Sequence, residues 1–124
     1  GPYLQYMGAR ICSILKKAQE AGVEKDCSVE ATSLLTTEAE WELIKLLGEF
    51  PNVIEKAAKN LDPSGLAIYL YDVSKSFSRF YHDCPIINSG NDKLSGARLA
   101  LAESVKTVLQ NGLNLILVPF LEQM

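Results

Sequence analysis

Apolar residues three and four positions apart run through nearly the whole chain, and this period constrains the fold more than any other feature. From Tyr3 to Glu20, the residues Leu4, Met7, Ile11, Leu15 and Ala18 fall on one face of a helix. Lys16 and Lys17 suit the negative pole of its dipole, and Gly22 can stop it. Residues 22–36 carry small and polar side chains without a period and are expected to form a mobile connection.

Thr37-x-x-Glu40 has the spacing of a capping box, followed by a stripe of Trp41, Ile44 and Leu47. Gly48 and Phe50-Pro51 interrupt that pattern, which Val53, Ile54, Ala57, Ala58 and Leu61 resume. Asp62-Pro63-Ser64-Gly65 reads as a turn opening a helix buried through Leu66, Tyr69 or Leu70, Val73, Phe77 and Phe80, which ends near Cys84-Pro85. After turn chemistry at residues 87–92, a long helix carries Leu94, Ala97, Leu101, Val105 and Val108, with Asn111-Gly112 as its expected C-cap. The mostly apolar residues 113–124 are expected to dock on the body. The pattern predicts an all-α fold, a helical bundle of four to five helices.

The chain has 124 residues, 48% of them hydrophobic, which suits one domain and argues against intrinsic disorder. Residues 3–124 are read as that domain and Gly1-Pro2 as the scar of a cleaved expression tag. The longest apolar run, Leu115-Ile116-Leu117-Val118, is far too short to span a membrane. Three widely spaced cysteines (Cys12, Cys27, Cys84) form no CxxC pair, and buried free thiols in a reduced, cytoplasmic compartment are expected.

A net charge of −3 taken as a total disfavours a nucleic-acid partner, yet the charge is unevenly distributed. Six acids and one base lie between Glu24 and Glu42, whereas the other 105 residues carry 11 bases and 9 acids. The acidity is local, and an anionic partner remains open elsewhere.

Catalysis needs convergent titratable groups, and none is visible. There is a single histidine, His82, and no Gly-rich phosphate loop. No catalytic residue and no metal site is expected; Glu38 and Glu42 share a helix face but lack a third ligand. The aromatic residues carry more information. Tyr6 and Arg10, at i and i+4, put a ring and a cation on one helix face, and Arg79-Phe80-Tyr81-His82 gathers similar groups at a helix end. Unpaired RNA bases are read by stacking on such rings. Pattern alone leaves RNA binding and protein binding level.

Three stretches, taken together, narrow the choice. They are Tyr3-Leu4-Gln5-Tyr6-Met7-Gly8-Ala9-Arg10-Ile11; Ala67 to Val73 running into Phe77-Ser78-Arg79-Phe80-Tyr81; and Ala97-Arg98-Leu99-Ala100-Leu101 followed by Val108 to Leu113, with a terminal Met124. In order and spacing they resemble the C-terminal, DALR-type anticodon-binding domain of arginyl-tRNA synthetase. Met7-Gly8 stands where that family has Ala-His, and Gln123 where it has an arginine.

The resemblance implies a domain that holds the anticodon loop of arginine tRNA, beside a catalytic domain that uses ATP and arginine. The HIGH- and KMSKS-like motifs of that catalytic domain do not occur here, so this fragment is expected to be no enzyme and to bind no cofactor itself. The family's anticodon-loop residues carry over to Tyr6, Tyr81 and Met124, joined by Met7 and Arg10. Arg10, Lys75 and Arg79 are candidate phosphate or base-edge donors, the other readings being a carboxylate partner within the fold for Arg10 and a simply solvated side chain for Lys75. Tyr69 and Tyr71 are read as structural and His82 as a surface residue. A monomer without membrane or DNA partners is expected, with the acidic stretch turned away from the tRNA. The alternatives are a helical protein-interaction domain of synthetase-like fold without tRNA binding, and the equivalent domain of another class I synthetase or a stand-alone homologue.

Overall fold

Six helices follow one another in a computed structural model that describes the backbone of residues 2–123 and the side chains of residues 3–116. They are α1 (Pro2–Glu20), α2 (Val29–Thr32), α3 (Glu38–Gly48), α4 (Phe50–Asn60), α5 (Ser64–Asp83) and α6 (Asp92–Gln123). Five are long and α2 is a single turn, so the all-α bundle of the sequence reading is observed. No strand occurs among the described residues.

Helices α5 and α6 lie together at the centre; α1 and α3 each touch both, α4 covers α5, and α2 covers α6. The core forms where their apolar stripes meet: Ile11, Leu43, Leu70, Val73, Phe77, Phe80 and Val105 are each fully buried. Burial of each such large side chain stabilises the fold by about 1.5–3 kcal/mol.

Local chemistry sets the helix ends. Gly22, at φ 87°, ends α1 in the left-handed region that glycine tolerates. The expected capping box is present: Thr37 Oγ1 accepts from the Glu40 amide at 3.2 Å, and Glu40 Oε1 accepts from the Thr37 amide at 2.9 Å. Pro51 sits in the first turn of α4, where its missing N–H is harmless. Asp62 Oδ1 accepts from the Ser64 hydroxyl at 2.6 Å and its amide at 2.9 Å, which orders the turn into α5 and holds the Asp62 carboxyl below its usual value.

Four expectations are corrected. The connection at residues 22–36 contains α2, capped by Ser28, and it is anchored: Ala31 and Leu35 are buried, and the Asp26 amide donates to the Gly96 carbonyl at 3.1 Å. A Cβ on Gly96 would lie 2.5 Å from the Glu24 carbonyl oxygen, so this segment crosses α6 at a site only glycine leaves open. In α3 the buried face is Ala39, Glu40 and Leu43, and Trp41 is 54% exposed, because the Arg98 side chain draws Glu40 inward and turns the helix away from the expected stripe.

Gly112 caps nothing. Helix α6 runs through it, and the missing side chain lets α6 close on Leu70 of α5, whose methyl carbon would be 2.6 Å from a Cβ there. Of the three thiols only Cys84 is buried; Cys12 and Cys27 are exposed. Beyond Gly112, Leu113 and Ile116 pack partly against the core, while docking of the side chains from residue 117 onward lies outside the described residues.

Candidate nucleic-acid interface

Helices α1 and α5 run in the same direction with their aromatic residues in register. Near the start of α1, Tyr3 and Tyr71 place their ring centroids 5.0 Å apart. Seven residues further along α1, the Arg10 guanidinium carbon lies 5.7 Å from the centroid of the Tyr81 ring, within cation–π range. Tyr6 is one helical turn before Arg10 on the same face, and it is 61% exposed. Tyr6, Arg10 and Tyr81 therefore share one seam between two helices.

The Tyr81 ring is itself held from beneath. It stacks on the buried Phe77 at 6.1 Å and 8° between planes. Beside it opens a cleft of about 260 Å³ lined by Ile14, Ala18, Pro85, Ile86 and Ile87. A half-exposed ring with an apolar cleft at one side and a guanidinium over its face can take a planar heterocycle on the guanidinium plane, or on the ring itself once Arg10 swings aside to a phosphate or base edge.

The other expected site residues are placed differently. Met7 is 1% exposed, because the helix period that brings Tyr6 to the surface turns its neighbour into the core; its side chain offers no contact surface. Met124 lies outside the described residues.

Arg79 is no free phosphate donor. Its guanidinium meets Glu42 at 2.6 Å and Glu38 and Asp83 at 3.7 Å, on the α3 side of α5 and away from the seam. His82 is exposed, with Nδ1 2.9 Å from Asp83. Tyr69 is structural as expected: it is buried, its hydroxyl donates to the Leu46 carbonyl, and burial pushes its pKa up to about 12.

Four of the six acids between Glu24 and Glu42 pair with cations within the fold. Glu30 pairs with Lys93 at 2.8 Å, Glu38 and Glu42 hold Arg79, and Glu40 pairs with Arg98 at 2.8 Å. A larger hollow of about 720 Å³, between residues 21–26 and 87–95, includes Lys25 and Lys93, both already paired with carboxylates.

Two arrangements escaped the sequence reading. The first is the buried Glu40–Arg98 pair, whose signal was an arginine inside the apolar period of α6. The second is Lys75, whose Nζ lies 4.8 Å over the Tyr71 ring; the i, i+4 spacing of those two residues was its available signal. Among the described residues no cluster of His, Cys, Asp or Glu could hold a metal ion, and no helix is long and apolar enough to cross a membrane.

A helical domain that presents an aromatic and cationic seam is the class this fold and surface define. Comparison with known proteins makes that class specific. Residues 4–124 match the DALR anticodon binding domain, so the chain belongs to that family. It is similar to the arginine–tRNA ligase of Treponema denticola, 57% identical over the whole chain and 21% of that protein, and to that of Treponema pallidum at 54% over the same shares. It is also similar to the arginine–tRNA ligase of Listeria monocytogenes, 43% identical over 98% of this chain and 22% of that protein. The chain thus spans about a fifth of the length of these relatives.

Proposed function

We propose that this chain takes the anticodon loop of an arginine tRNA on the α1/α5 seam. In this reading Tyr6 and Tyr81 stack on bases splayed out of the loop, and Arg10 supplies a donor to a phosphate or base edge. The observation that carries it is Arg10 held over Tyr81 at 5.7 Å, with Tyr6 one turn away on the same face. Stacking on such rings contributes about 1–3 kcal/mol per base. Met124 adds a flexible apolar contact in this proposal, on the strength of the family resemblance alone.

The larger protein would join arginine to that tRNA with ATP, in the cytoplasm, on a catalytic domain that this chain does not contain. This domain's part is recognition; it holds no cofactor and acts as a single copy. The arginine–tRNA ligases that match the chain end to end support the reading.

The test is a binding titration of the chain with arginine tRNA, an anticodon-altered version and an unrelated tRNA, each over a range of salt. Tighter binding of the first at every salt concentration is the expected result. Equal, purely salt-driven binding of all three reduces the seam to an electrostatic surface. No binding at low salt favours a protein-interaction domain.

A further inference from the structure

Six of the twelve cations are held against a neighbouring side chain among the described residues, and in two ways. Lys25, Arg79, Lys93 and Arg98 are each paired with a carboxylate, and their charge is neutralised inside the fold. Arg10 and Lys75 have no carboxylate partner among the described residues and rest instead on the rings of Tyr81 and Tyr71. A ring face orients a cation without cancelling its charge, so both remain available to an anion.

Both also lie along the α1/α5 seam. The contact of Tyr3 with Tyr71 fixes one end of it, and that of Arg10 with Tyr81 the other. From Tyr71 to Tyr81 the rise along α5 is about 15 Å at about 1.5 Å per residue. That is roughly four stacked nucleotides at about 3.4 Å each. Tyr71, expected from the sequence to be structural, is instead 45% exposed, and Lys75 is exposed, so neither is required by the core.

We infer that Lys75, seated on Tyr71, is a backbone-phosphate contact for the bound RNA, and that it extends the recognition track along α5 beyond the Tyr6–Arg10–Tyr81 cluster. The inference rests on the reading of the seam as a tRNA surface. It adds a position that fixes where the strand runs, while the tyrosines take bases. The Tyr71 ring limits the rotamers of a side chain that would otherwise be free, lowering the entropy lost on contact.

The experiment is the salt dependence of arginine-tRNA binding by the chain and its Lys75→Gln, Lys75→Arg, Lys59→Gln and Tyr6→Ala variants. Each phosphate contact contributes about 0.7–0.9 to the slope of log affinity against log salt. Lys75→Gln should make the slope shallower by about that amount, Lys75→Arg should restore it, and Lys59→Gln, on α4, should leave it unchanged. An unchanged slope for Lys75→Gln, or an equal loss for Lys59→Gln, overturns the inference. If Tyr6→Ala still loses affinity in that case, the reading of the seam stands without Lys75. If the unaltered chain binds no arginine tRNA at low salt, both fail together.

Discussion

Arg98 and Glu40 meet at 2.8 Å with the Glu40 side chain fully buried and that of Arg98 only 9% exposed. The contact joins α6 to α3 and does more than pair charges. Glu40 Oε1 caps the start of α3 through the Thr37 amide, and Arg98 Nη1 donates to the Pro85 carbonyl at 2.8 Å, just past α5. The start of α3 and the end of α5 are thus tied to α6 by two side chains.

Removing one partner should therefore cost more than removing both. Arg98→Met strands a buried carboxylate and should destabilise the domain by about 3–5 kcal/mol. The double variant Arg98→Met/Glu40→Leu should recover part of that loss, while still lacking the α3 cap, worth about 1 kcal/mol. Urea unfolding of the two single variants and the double variant measures the coupling.

Two glycines inside helices should respond in opposite ways. Gly8 has open space where a Cβ would stand, so Gly8→Ala should stabilise α1 by about 0.5–1 kcal/mol. At Gly96 the new carbon would meet the Glu24 backbone oxygen at 2.5 Å and the Asp26 Cβ at 2.8 Å. Gly96→Ala should destabilise by about 1–3 kcal/mol through displacement of that segment. Thermal melts of both variants give the two signs.

Alkaline pH should unlock Tyr69. Its pKa is raised by burial, and secondarily by the nearby Glu49 charge, from 10.0 to about 12. The folded state therefore holds its proton longer than the unfolded state. The contribution to stability is fully present below pH 10.0 and is lost as pH rises toward about 12. A stability–pH profile should fall across that window, and Tyr69→Phe should flatten the fall, at a cost near neutral pH of about 1 kcal/mol for the lost hydrogen bond to Leu46.

Much of this architecture is legible in the sequence because it is local. The face of α1 through Leu4, Ile11 and Ala18, the capping box at Thr37 and Glu40, and the buried Phe77 and Phe80 all follow from spacing and side-chain chemistry. What escaped depends on contacts distant in sequence. Gly96 and Gly112 look like helix breakers until the crossing segment and Leu70 that occupy their missing side-chain space are seen. Trp41 looks like a core residue until Arg98, 58 positions from Glu40, turns α3 inward on its neighbour. At the seam, the placement of Tyr6 and Arg10 on one helix face was readable as an i, i+4 step, but the arrival of Tyr81 beneath Arg10 requires α1 and α5 to lie side by side. For Met7 the helix period was the right guide, placing it on the apolar face, and the site assignment added beside the family resemblance was not, since adjacent helix positions lie about 100° apart and only Tyr6 reaches the surface.

The claim that the α1/α5 seam reads bases is tested most directly at Tyr6, which is 61% exposed and outside the core, so its removal cannot act through loss of fold. The measurement is the affinity of Tyr6→Ala for arginine tRNA beside that of the unaltered chain, with a thermal melt of each. A loss of about 1–3 kcal/mol in binding is expected, with the melt unchanged. Equal affinity of the two proteins for arginine tRNA would contradict the claim.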